Sequence, residues 1–96
     1  MKREILQKLD VIAERAFSRA LEHADRHADQ RYDVSTCEVI DCDDDEVRFD
    51  FFFTDAFGWQ WNPTIYVATQ DIMVGDTINE KGIEKYLYEC LLQDNA

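Results

Sequence analysis

Apolar residues recur at helical spacing from residue 2 to about residue 30. Ile5, Leu9, Ile12, Ala16 and Ala20 mark a stripe, and Leu6, Ala13, Phe17 and Ala24 widen it. No Gly or Pro interrupts the segment, and Lys8, Arg15, Arg19, Glu22 and Arg26 fall mostly on the opposite side. The spacing predicts one long helix. Its many alanines let it approach a sheet closely.

The period then shortens. Tyr32, Val34, Thr36 and Ile40 alternate with polar residues, apart from Cys37 and Val39. Val47, Phe49, Phe51 and Phe53 alternate cleanly with Arg48, Asp50 and Thr54, the clearest strand pattern in the chain. Asp43-Asp44-Asp45 between them is a turn-compatible tip, so the two strands read as an antiparallel hairpin. After a turn at Asp55-Ala56-Phe57-Gly58, the odd positions Trp59, Trp61, Ile65 and Val67 predict a third strand over 59–69. Asn62-Pro63 lies inside it. Proline donates no ladder hydrogen bond, so an edge position, a bulge or a late strand start is expected. Residues 71–76 are ambiguous. A second helix is expected from Thr77 or Asn79 to Gln93, with Ile83, Leu87, Cys90 and Leu91 inward. Thr77 and Glu80 have capping-box spacing, and Gly82 weakens the first turn.

These elements describe one α+β domain over residues 1–96: a long N-terminal helix, a three-stranded antiparallel meander and a C-terminal helix, αβββα. Phe49, Phe51, Phe53, Trp59, Ile65 and Val67 would share one sheet face. Both helices carry an apolar stripe that must be covered, and packing both on that face gives two layers. Arg48, Asp50, Phe52, Thr54, Gln60 and Tyr66 would point the other way. There is no internal repeat, linker or low-complexity tract.

Charge changes the picture. Twenty-one acidic residues against ten basic ones give a net charge of −11. Residues 29–55 alone hold −8, whereas residues 1–28 hold +1, residues 56–70 carry no charge and residues 71–96 hold −4. The excess gathers on the hairpin. It argues against direct binding to nucleic acid or to an anionic membrane, which carry the same sign. Carboxylates this crowded repel one another within a Debye length of ~8–10 Å. A solvated loop with surplus acids explains the pattern without a function. An electrostatic docking surface for a Lys/Arg-rich partner explains it with one.

Candidate chemistry is sparse. His23 and His27, four apart on the first helix, share a face as metal ligands require, but no third ligand stands at a recognisable spacing. The simpler reading is a partly buried pair at the helix end, where a cationic His is favourable. Asp41 to Glu46 begins like a calcium loop, yet Glu46 replaces the sixth-position Gly and Phe52 the twelfth-position Glu. The chain has three glycines, Gly58, Gly75 and Gly82, and forms no phosphate loop. No catalytic residue, metal site or cofactor is therefore assigned. Cys37, Cys42 and Cys90 are odd in number and lack CxxC spacing, which argues for packing or surface thiols in a reducing cytoplasm over a disulfide framework. No run approaches transmembrane length, and the first residues lead into an amphipathic pattern unlike a signal peptide. Trp59 and Trp61 are core residues in a regular strand. Should Pro63 break that strand, one of them becomes a rim anchor.

In length, in the acidic segment Asp41, Asp43, Asp44, Asp45 and Glu46, and in its helix–meander–helix order, the chain resembles small acidic phage-encoded inhibitors of the anti-CRISPR and DNA-mimic type. That resemblance implies carboxylates occupying a basic, nucleic-acid-binding surface. The expectation is a non-enzymatic, cytoplasmic inhibitor or binding protein that docks a basic protein or nucleoprotein. Asp41, Asp43, Asp44, Asp45, Glu46 and Asp50 would supply charge, and Phe52 and Trp59 apolar contact. A structural subunit dimerising through the sheet is the alternative. A small metal-dependent enzyme built on His23 and His27 is a third reading.

Overall fold

The computed structural model describes residues 3–23, 32–42, 45–55, 58 and 60–94. The chain is an α+β fold with an N-terminal helix, antiparallel strands and a C-terminal helix. Helix α1 spans Arg3–His23, and the expected continuation towards residue 30 lies outside the described residues. Leu9, Ile12, Ala13, Ala16, Phe17, Ala20 and Leu21 are its buried face, with Ile5 and Leu6 partly buried beside them. That is the stripe the spacing predicts.

Strands β1 (Tyr32–Asp41) and β2 (Glu46–Asp55) pair antiparallel from Tyr32 opposite Asp55 to Asp41 opposite Val47, with one irregularity between Tyr32 and Val34. Val47, Phe49, Phe51 and Phe53 point into the core and are fully buried. Cross-strand partners share a face, so Cys37 and Val39, opposite Phe51 and Phe49, also turn towards the helices. They were the two residues that disturbed the alternation in the first strand.

The single third strand expected over 59–69 is two strands, β3 (Gln60–Trp61) and β4 (Thr64–Ala68), so the main sheet has four strands instead of a three-stranded meander. Both pair with β2 in one register: Phe53 opposite Trp61, Phe49 opposite Ile65. The break is local to Asn62-Pro63. The Phe51 amide still donates to the Pro63 carbonyl at 3.0 Å, but Pro63 has no N–H with which to return the bond. The ladder loses one rung without changing phase, and the prolyl strand lies at the sheet edge.

The ambiguous stretch is a short helix α2 (Thr69–Ile72) followed by a small hairpin, β5 (Met73–Val74) and β6 (Thr77–Ile78). Gly75 turns it with φ +64°, a left-handed backbone that glycine adopts without strain. Helix α3 spans Glu80–Asp94. Its cap is Asn79, whose carbonyl accepts the first helical bond from the Ile83 amide at 3.0 Å. The expected Thr77 cap is overturned, because the Thr77 hydroxyl donates to the Val74 carbonyl at 3.0 Å and closes the hairpin turn instead. Gly82 leaves room for the Asn79 side chain, which a Cβ there would meet at 2.4 Å. Ile83, Leu87 and Leu91 of α3 join α1 and the inward sheet face in one core, and Cys90 packs at its margin. Phe17 centres that core, its ring 5.1 Å from Phe51 and 5.9 Å from Trp61. Both helices lie on one sheet face, and Arg15 and Arg19 of α1 bond Glu84 of α3 at 2.8 and 3.1 Å. Among the described residues no helix is long and apolar enough to cross a membrane.

Candidate functional site: the acidic hairpin

Between Arg31 and Lys81 the chain carries twelve acids and one base, Arg48. The fold sets several of these charges in two places. The first is the turn end of the β1–β2 hairpin. Asp41 and Asp45 are exposed there and Glu46 is half-buried, while Asp43 and Asp44 lie outside the described residues. Asp41 shares the helix-side face with its partner Val47, and Glu46, one residue out of that phase, belongs to the opposite face. The tip therefore presents carboxylates to both sides of the sheet. The backbone at Asp45 and Glu46 is held, since the Asp45 carbonyl accepts the Thr69 amide at 2.8 Å and Glu46 pairs with Ala68. This contact brings exposed Asp71 of α2 to the same end. Asp71 went unnoticed in the sequence because residues 71–76 had no clear period. An antiparallel third strand returning to the start of β2 is the signal that places it.

The second place is the outer sheet face. Even-numbered residues of β1 from Thr36 onward and of β2 up to Thr54 point here, so Glu38 stands directly opposite Asp50. Like charges in that position oppose pairing. Arg48 compensates, its Nε donating to Asp50 Oδ2 at 3.1 Å, and the Thr64 hydroxyl donates to Asp50 Oδ1 at 3.0 Å. Asp50 holds the Arg48 guanidinium above its ordinary value, against a desolvation that acts the other way, with a hydrogen bond donated by Arg48 to Tyr66 assisting. Asp50 thus has two partners within the sheet. It lies four residues from Glu46, about 13 Å along the strand at ~3.3 Å per residue. The expected binding residues do not form one patch: Asp41, Asp45 and Glu46 sit at the tip, Asp50 and Phe52 in the middle of the outer face.

Among the described residues nothing covers that face, and it is slightly concave, with about 440 Å³ of space bounded by Glu38, Arg48, Asp50, Phe52, Thr64 and Tyr66. Phe52 is half-buried and Tyr66 is 50% exposed. Trp59 lies outside the described residues, whereas Trp61 is a core residue against Phe17.

Cys37, Cys42 and Cys90 are all free thiols. Burial, followed by the charges of Asp10, Glu14 and Asp50, pushes the Cys37 thiol up to about 12 from 9.0, far from a reactive thiolate. His23 is exposed with its ring edge-on to Tyr88 at 6.5 Å, and His27 lies outside the described residues. Among the described residues no three His, Cys, Asp or Glu side chains gather as a metal site would require. Comparison with protein-family models, with curated proteins and with solved structures gives no match.

Proposed function

We propose that the protein is a non-enzymatic binding protein that docks the acidic end of its β1–β2 hairpin on a basic partner. A nucleic-acid-binding protein whose groove it blocks is the partner class that fits best. One observation carries this reading: twelve acids and a single base lie between Arg31 and Lys81, and the Asp45–Thr69 backbone bond holds Asp45 of that run against the neighbouring strand end. Packing does not need this asymmetry, since the core is made of Phe, Leu, Ile, Val and Ala from both helices and one sheet face. A field of one sign raises the encounter rate with a basic surface and excludes nucleic acid itself. Asp41, Asp43, Asp44, Asp45 and Glu46 supply the charge. Asp50, already engaged by Arg48 and Thr64, supports the strand more than the contact.

Capture of partners at stepped salt, followed by titration of the purified partner, tests the reading. Affinity should fall steeply between 50 and 300 mM NaCl. Reversal of Asp43, Asp44 and Asp45 to Lys should weaken binding at least tenfold. Unchanged affinity in the reversed chain would show that the hairpin charge is not the docking element.

The alternative reading is a homodimer through the outer sheet face. It rests on Phe52 and Tyr66, which stand on a face that no described element covers. Light scattering across concentration decides it, and a strict monomer to high concentration removes it.

A further inference from the structure

The two edges of the main sheet are unlike. The β3–β4 edge is broken at Asn62-Pro63 into pieces of two and five residues. The β1 edge, YDVSTCEVID, has no Pro, Gly or Lys; its one irregularity lies between Tyr32 and Val34, and from Val34 to Asp41 the pairing is continuous. Among the described residues no strand lies beyond it.

The hydrogen-bond phase says which backbone groups face outward. Phe51 donates to Pro63, so the odd residues of β2 direct their N–H and C=O groups towards β4 and the even residues towards β1. In β1 the even residues Thr36, Glu38 and Ile40 face Phe52, Asp50 and Arg48 and close the ladder. Ser35, Cys37 and Val39 then turn their amides and carbonyls away from the sheet. These groups are a template for another strand.

Charge selects the occupant. Strand β1 carries Asp33, Glu38 and Asp41 and no base. Asp10 and Glu14 of α1 lie on the helix side of the same edge, near enough to act on the Cys37 thiol. A second copy added at β1 would set acids against acids on both faces. An extended segment bearing Lys or Arg meets Glu38 with the side chains on its outer face and Asp10 and Glu14 with the alternate ones.

We propose that β1 is a docking edge that takes an extended, lysine- or arginine-bearing segment of the partner as an added strand. The proposal rests on the acidic-docking reading and names the form the basic partner takes.

Amide hydrogen exchange on the full chain tests it, with an acetylated ten-residue peptide of repeating Lys-Lys-Val-Val, which carries lysines on both faces of a strand, as the probe. In the free protein Cys37 and Val39 should exchange fast and Thr36 and Glu38 slowly. Saturating peptide should slow Cys37 and Val39 at least tenfold. N-methylation of alternate peptide residues should weaken binding at least tenfold in one phase and much less in the other. Peptide binding that leaves Cys37 and Val39 unprotected, or that is equally strong for both methylated forms, overturns the added strand while leaving electrostatic docking in place. Failure of the peptide to bind also overturns it, and the salt titration of the hairpin variant then judges the docking reading on its own. Protection of the two amides in the free protein that grows with concentration overturns it in favour of a second copy.

Discussion

Cys37 offers a quantitative test of the acidic surroundings of β1. Its thiol sits at about 12 against an ordinary 9.0, chiefly through burial and then through Asp10, Glu14 and Asp50. At pH 8 an ordinary thiol is ionised about one part in ten, and one at about 12 roughly one part in ten thousand. Thiolate supply therefore falls roughly a thousandfold. The more basic thiolate is also the better nucleophile, and a Brønsted slope of about 0.4–0.5 returns roughly 15–30-fold. The loss of ionisation wins. Reaction with an aromatic disulfide reagent at pH 8 should be slower than in the urea-unfolded chain by roughly 30–60-fold, with hindrance at the half-buried sulfur adding to that. The assay uses a chain with Cys42→Ser and Cys90→Ala, so that one thiol reports. Adding Asp10→Asn and Glu14→Gln should speed the folded reaction severalfold, because those charges follow burial as causes. The same thiol bears on stability. Its folded value lies above its unfolded one, so its contribution is complete below pH 9 and is lost as pH rises from about 9 to about 12. A folded rate within threefold of the unfolded rate would refute the burial and the acidic surroundings together.

Phe51→Ala should cost about 3–5 kcal/mol in urea unfolding, since the ring is fully buried against Phe17 and no neighbour can collapse into its place without moving β2. Glu84→Ala removes the one acceptor shared by Arg15 and Arg19; both arginines are about half exposed, so a loss of only about 0.5–1 kcal/mol is expected from the same assay. Gly75→Ala should cost about 1–2 kcal/mol by forcing a Cβ into the left-handed turn, although the space around it is open. Thermal melting would show this last effect as a lowered midpoint with an unchanged circular dichroism spectrum.

The elements with a strong period were legible from residues alone. Helix α1, the β2 strand with its three buried phenylalanines and the apolar face of α3 follow from spacing, because one buried face imposes one period. Three features were not legible, each for a physical reason. Pro63 was a visible warning, but whether it ends a strand or only removes a rung depends on whether the flanking pairs hold their register, and they do. The capping box at Thr77 and Glu80 was a local pattern that lost to a competing local bond, the Thr77 hydroxyl on Val74. Cys37 and Val39 looked like flaws in an alternating strand. Their phase is set by Phe51 and Phe49 across the ladder, which the period of β1 alone could not reveal. For the candidate site, composition located the charge but not its division. Asp50 seemed one more acid of the hairpin until its partners and its distance from the tip were seen.

That division bears on how a hairpin with eight surplus negative charges stays closed. Repulsion is greatest where two carboxylates stand directly opposite, and the ladder creates such a pair at Glu38 and Asp50. The single base between Arg31 and Lys81 is placed there, on Asp50, with Thr64 as a second donor. At the tip, Asp41 and Asp45 are exposed at the end of the sheet, where the dielectric constant is high and salt shortens the reach of each charge. An incoming Lys or Arg meets different situations at the two places. On the outer face it must compete with Arg48 for a carboxylate already bonded twice. At the tip it reduces the net field of the acids Asp41 to Glu46. On the proposed docking reading, Asp50→Asn should therefore change partner affinity less than Asp45→Asn while lowering stability more. The reverse order would move the contact from the hairpin end to the outer face of the sheet.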